Sequence, residues 1–201
     1  MTALPPTTHL LYLHGFRSSP RSMKAQKMAA LMASRFPQVH WWCPQLPPSP
    51  REAVALIEAG TREWPMGTMA VLGSSLGGFY ATWLAQRRGC RAVLINPAVD
   101  PARDLSAYIG EQTAWHAPEE RFFFQPHFVD ELRALHAGEL TQPERLLAVI
   151  ATGDEVLDWR EMQARYAQAR LRIVCGSDHA LSDFDAHLDA ILAHLGLSPA
   201  A

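Results

Sequence analysis

The segment Val71-Leu72-Gly73-Ser74-Ser75-Leu76-Gly77-Gly78 constrains this chain more than any other. A short apolar run leads into Gly-x-Ser-x-Gly, and a helical pattern follows at once. This is the sequence form of a nucleophile elbow, a strained strand-to-helix turn that lifts a serine hydroxyl above the edge of a parallel sheet. Gly73 and Gly77 lie two positions either side of Ser75, where a tight turn brings backbone close and a Cβ would clash. The helix N-terminus beside Ser75 presents free backbone N–H groups to any anion formed there. Ser74 is the variable residue of the motif, and Ser75 its apex.

Strand and helix signals alternate through most of the chain. His9 to Leu13 is a short apolar run ending at His14-Gly15. Ser19-Pro20 has the form of an N-cap with Pro at the first helical position, which predicts a helix to about residue 36. A second strand is expected over 39–43, closed by Pro44. Ser49-Pro50-Arg51-Glu52 fits a capping box opening a helix that stops near Gly60. The third strand, 68–72, leads into the elbow, and Leu76 to Arg88 is the helix behind it. Arg91 to Ile95 is a fourth strand, ended by Asn96-Pro97.

The rhythm breaks over 98–143, too long a stretch for a simple connection. It holds Tyr108, Trp115, the run Phe122-Phe123-Phe124 and an amphipathic helical pattern over 127–136. The expectation is an insertion forming a lid or cap, with the phenylalanines in its core or lining an acyl pocket. Strands at 146–152 and 171–175 then alternate with helices at 159–168 and 182–195, and the tail from Gly196 to Ala201 is expected to fray. Six short strands separated by helices imply a mainly parallel sheet with helices on both faces. Ligands of such sheets collect at the carboxyl ends of the strands. The 201 residues suit one domain with a full core, 1–201.

Composition excludes several alternatives. A net charge of −2 leaves no basic stripe for nucleic acid. No apolar run approaches the length of a bilayer span. Met1 to Thr8 lacks the basic and apolar regions of a secretory signal, so a cytoplasmic location is expected. Cys43, Cys90 and Cys175 are odd in number and widely spaced, which argues for a reducing compartment. Each adjoins an apolar run or a helix end and is expected to be a buried small hydrophobe. The histidines show no His-x-x-x-His spacing and the cysteines no Cys-x-x-Cys, so no metal is expected, nor is there a Gly-x-Gly-x-x-Gly for a dinucleotide.

A serine hydroxyl becomes a useful nucleophile when a base takes its proton and a third group orients that base. Elbow-based sites use the chain order Ser, acid, His. Here Ser75 follows the third strand, Gly153-Asp154-Glu155 the fifth and Gly176-Ser177-Asp178-His179 the sixth. His179 is the candidate base and Asp154 its orienting acid. Asp158 is the competing acid, though it also suits the cap of the next helix. Backbone N–H groups of Phe16 and Leu76 are candidates for an oxyanion hole, and His14 is expected to brace the Phe16 loop.

The stretches His14 to Pro20, Gly73 to Gly78, Ile95-Asn96-Pro97-Ala98 and Gly153 to Asp158 resemble the YqiA-type esterases, small bacterial α/β-hydrolases. The resemblance runs from the first strand to the last helix and is weakest over 98–143. Trp159 stands where Tyr is expected. The resemblance implies an α/β-hydrolase fold with Ser75 as nucleophile, Asp154 as acid and His179 as base. It implies a carboxylesterase acting on small-molecule esters or thioesters without a cofactor. An acyl thioesterase is the nearest alternative, and a non-catalytic binding protein on the same fold the more distant one. Substrate identity and oligomeric state stay open at this level.

Overall fold

A computed structural model describes residues 5–115 and 117–197. Its main sheet has six strands: β1 (His9–Leu13), β2 (His40–Trp42), β3 (Met69–Ser74), β4 (Arg91–Ile95), β7 (Leu146–Ala151) and β8 (Arg170–Val174). Their order is β2-β1-β3-β4-β7-β8, and every pairing is parallel. β3 and β7 are buried along their whole length, as central strands covered on both faces must be. Successive side chains alternate between the faces. Leu10 and Tyr12 pack with Ala25 and Met28 of α1 (Met23–Arg35) and with Ile191 of α7 (Leu188–His194). Leu11 and Leu13 share the opposite layer with α2 (Pro50–Thr61), α3 (Leu76–Arg88) and α6 (Trp159–Arg165). This is an α/β-hydrolase fold. No described helix is long and apolar enough to cross a membrane.

α3 and β4 have the bounds expected from sequence, and α2 ends one residue beyond Gly60. The Ser49 hydroxyl accepts the Glu52 N–H at 3.2 Å, as a capping serine does. Three expectations fail locally. α1 begins at Met23 rather than Pro20, because Ser19 forms a turn: its carbonyl accepts the Ser22 N–H at 3.0 Å and its hydroxyl the Arg21 N–H at 3.1 Å. The expected helix over 182–195 is shorter. Asp178 takes the Ser182 N–H and hydroxyl at 2.8 and 2.6 Å, and a 3₁₀ turn, Phe184–His187, precedes α7. The tail does not fray from Gly196: Leu197 is buried and donates to the Leu192 carbonyl at 2.9 Å. Residues 198–201 lie outside the described residues.

The segment 98–143 holds α4 (Pro101–Leu105) and α5 (Pro126–Ala134), the latter close to the expected helix. Between them stands an antiparallel hairpin of β5 (Gly110–Ala114) and β6 (Ala117–Phe124), which the sequence pattern does not announce. β6 carries the charged run Glu119-Glu120-Arg121 in place of apolar alternation. Glu131 of α5 is buried and ties this segment to α2. It accepts from the Ser49 hydroxyl at 2.8 Å and the Arg51 N–H at 3.0 Å.

The cysteines divide. Cys90 is buried as expected, whereas Cys43 is only half-buried against the core, and burial pushes both thiols up to about 12. Cys175 corrects the expectation of burial: it follows the buried Val174 at the end of β8, and alternation turns it outward to solvent. Thiolate is the reactive form, so at about pH 8 Ellman's reagent should titrate one thiol quickly in the folded protein. All three should react after denaturation. A second fast thiol in the folded state would contradict these burials.

Candidate active site

Ser75 stands between the end of β3 and the start of α3 with φ 56° and ψ −121°. A non-glycine residue in this region typically carries strain of about 1–3 kcal/mol, borne only where the surroundings over-determine it. Here the Ser75 N–H donates to the Ile95 carbonyl at 2.9 Å. The Ser75 carbonyl accepts from the Gly78 N–H at 2.9 Å and the Ala98 N–H at 3.1 Å. The flanking glycines are sterically required. A Cβ on Gly73 would lie 2.2 Å from the Gly77 carbonyl oxygen, and one on Gly77 would lie 1.9 Å from that of Leu13.

His179 lies in the turn after β8 and Asp154 in the turn after β7. The fold brings both to Ser75. His179 Nε2 is 3.1 Å from Ser75 Oγ, and His179 Nδ1 is 2.7 Å from Asp154 Oδ2. The other Asp154 oxygen, Oδ1, accepts the Val156 and Leu157 N–H groups, both at 2.8 Å. A carboxylate is an acceptor only, so the imidazole proton sits on Nδ1 and Nε2 is left to accept from the serine hydroxyl. The Asp154 side chain is fully buried, and that of His179 is 20% exposed.

Asp158 is elsewhere: it accepts the Arg160 N–H at 2.9 Å and caps α6. Glu155 has a role that sequence reasoning missed, accepting the His179 backbone N–H at 3.0 Å. Lys24 of α1 was missed as well; its ammonium donates to the Ala180 carbonyl. Burial lowers Lys24 to about 8, against the opposing pull of the Asp178 carboxylate. No local pattern in the sequence marks either contact, since Lys24 is far from Ala180 in the chain.

The loop after β1 borders the same serine. A Cβ on Gly15 would lie 3.2 Å from Ser75 Cβ. His14 is buried. Its Nε2 accepts the Leu46 N–H at 3.1 Å, so the ring proton sits on Nδ1, which donates to the Gly15 carbonyl at 3.0 Å. Phe16 and Leu76 line one cavity of about 410 Å³ with Leu46, Pro47, Tyr80 and Phe122. Leu76 opens α3, where an amide has no acceptor within its own helix.

The β5–β6 hairpin is fastened over this loop. Arg17 Nε donates to the Thr113 carbonyl at 2.7 Å, and its guanidinium lies 4.2 Å from the centre of the Trp115 ring. The Phe16 ring meets Phe122 and Phe124 edge-on, with centroids 5.9 and 5.4 Å apart. The phenylalanine run therefore divides: Phe124 is core, Phe122 lines the cavity and Phe123 is exposed. Among the described residues, no three or more His, Cys, Asp or Glu side chains converge as a metal-ligand set.

A family model described as an uncharacterised protein family, UPF0227, matches residues 9–196. Several solved structures share the fold. One is a structure reported for LipS and LipT, metagenome-derived lipolytic enzymes. It is 18% identical, with a TM-score of 0.68 over 95% of this chain and 94% of that one. Mouse alpha/beta hydrolase domain-containing protein 10 is 15% identical, with a TM-score of 0.68 over 95% and 92%. The monoacylglycerol lipase of Paleococcus ferrophilus is 15% identical, with a TM-score of 0.65 over 95% and 97%.

Proposed function

The chain belongs to the UPF0227 family, the one its sequence resembles, and from that premise we propose a serine carboxylesterase that cleaves small or medium acyl esters through an acyl-enzyme on Ser75. One observation carries the reading: Ser75 Oγ, His179 and Asp154 form a line with contacts of 3.1 and 2.7 Å, on a serine held at φ 56°.

His179 Nε2 takes the hydroxyl proton as Ser75 Oγ bonds to the ester carbonyl carbon. Asp154 stabilises the imidazolium through Nδ1–H. The Phe16 and Leu76 N–H groups donate to the oxyanion, each contributing about 2.7–4 kcal/mol in the transition state. The tetrahedral intermediate then collapses, and His179 gives its proton to the leaving alcohol. Water, deprotonated by the same imidazole, attacks the acyl carbon; the bond to Ser75 Oγ then breaks, His179 returns its proton to Oγ, and the acid leaves. No step requires a cofactor. The cavity of about 410 Å³ is within the usual range of small-molecule sites, roughly 300–1,000 Å³. Its apolar wall suits an acyl chain, and segment 98–143 serves as the cap that limits chain length.

A fluorophosphonate probe tests the proposal. The folded protein should be labelled, and Ser75→Ala should abolish labelling while leaving the circular dichroism spectrum unchanged. Absence of labelling in the folded parent protein would sink the reading.

A further inference from the structure

Asn96 follows β4 and is fully buried, with φ 40°. Asn tolerates the left-handed region better than most residues because its short polar side chain can bond locally. Here the side chain bonds across the fold instead. Its Oδ1 accepts the Ala151 N–H at 2.8 Å. Its Nδ2 donates twice, to the Asp178 and His179 carbonyls, both at 3.0 Å. A carboxamide has one acceptor oxygen and two N–H donors. Both donors are therefore used, and the amide orientation is unambiguous. Rotating it would turn oxygen toward two carbonyls and N–H toward an N–H.

These bonds meet two of the three loops of the candidate site, and the main chain beside Asn96 meets the third. Ala151 ends the strand that delivers Asp154, and the Asp154 N–H returns to the Ala151 carbonyl at 3.4 Å. Asp178 and His179 form the turn that carries the imidazole. The main chain beside Asn96 holds the elbow, through Ile95 and Ala98 on either side of Ser75. The Asn96 N–H itself donates to the Val149 carbonyl of β7 at 2.9 Å.

We propose that Asn96 is a positioning residue for the reaction: its buried carboxamide braces the loops that bear His179 and Asp154 against the strand end whose main chain holds the Ser75 elbow, and so sets the separation of the three groups. The inference rests on the reading of those three residues as a catalytic unit. It acts through His179, so removing the donors lowers turnover and leaves substrate binding in place. Small misplacement is costly, since a shift of about 1 Å at reacting groups can lose about 100-fold in rate.

The test compares Asn96→Asp, Asn96→Ala, His179→Ala and the double variant Asn96→Asp/His179→Ala on p-nitrophenyl butyrate. Asn96→Asp is the most informative single change. Aspartate also tolerates this backbone region and still accepts from Ala151, but ionised it has no donor for the two carbonyls and protonated it has one where the carboxamide has two. The expected result is a kcat loss on the order of 100-fold with KM within about twofold, and no further loss when the change is added to His179→Ala, as for residues acting as one unit. A folded Asn96→Asp protein with kcat within about twofold of the parent would overturn the inference, as would full additivity with His179→Ala. Failure of both Asn96 variants to fold would also overturn it, by showing a role in the fold alone. If the parent protein is inactive, or His179→Ala has no effect, the triad reading itself fails, and this inference with it. If His179→Ala is crippled while Asn96→Asp is not, only the Asn96 inference fails.

Discussion

Asp154→Asn should lower kcat on p-nitrophenyl esters by about 10⁴-fold, the scale seen when the orienting acid of such a triad is made an amide. The surroundings dictate the reason. Two N–H groups, those of Val156 and Leu157, point at the Oδ1 position at 2.8 Å. An asparagine keeps its carbonyl oxygen there, because the alternative would set N–H against N–H. Its NH₂ group then faces His179 Nδ1, 2.7 Å away in the parent. That nitrogen must become the acceptor, the ring proton moves to Nε2, and Nε2 can no longer take the Ser75 proton. Asp158→Asn should leave kcat within about twofold, because Asn is as good an N-cap as Asp. Steady-state kinetics on the two variants decides the matter. Loss of activity in Asp158→Asn alone would transfer the acid role to Asp158.

Gly77→Ala should destabilise the protein by roughly 3 kcal/mol or more, the upper end of overpacking effects. The added methyl would lie 1.9 Å from the Leu13 carbonyl oxygen and 2.7 Å from that of His14. Both obstacles are backbone, so no side-chain rotation relieves the clash. Either α3 lifts from the sheet or the end of β1 moves, and β1 leads into the Phe16 loop. At roughly 2–4 °C per kcal/mol for a domain of this size, the melting temperature should fall on the order of 10 °C. Gly67→Ala is the control, since a Cβ there meets nothing within 4 Å. Differential scanning calorimetry reads both variants. A Gly77→Ala protein as stable as the parent would contradict the close packing of α3 against β1.

Much of the fold is legible because βα alternation is a local signal. Apolar runs flanked by Gly, Pro and Asn mark the six strands of the main sheet. The bounds of α3 follow from the elbow before it and Gly89 after it. Legibility fails where a local pattern competes with a tertiary partner. Ser19-Pro20 looks like a helix start, yet Ser19 spends its carbonyl and hydroxyl on a turn. The β5–β6 hairpin carries charges where alternation should be apolar. It is held instead by Phe16 and Arg17, about a hundred residues earlier in the chain.

The candidate site divides along the same line. Sequence alone determined which residue types stand at which strand ends: Ser75 in its elbow, an acid after the fifth strand and His179 after the sixth. It also determined that Gly73 and Gly77 must lack a Cβ, because the turn itself demands it. It favoured Asp154 over Asp158 as the acid, with Asp158 in the same loop as the competitor. Tertiary structure separates the two, setting Asp154 against His179 and Asp158 at the cap of α6. It alone revealed Glu155, Lys24 and Asn96 around the His179 turn, and the cavity that Phe122 lines. The physical reason is range. Strand, turn and cap preferences act within a few residues, whereas a buried side chain bonds whatever the packed sheet sets beside it, and for Asn96 that partner lies 83 residues away.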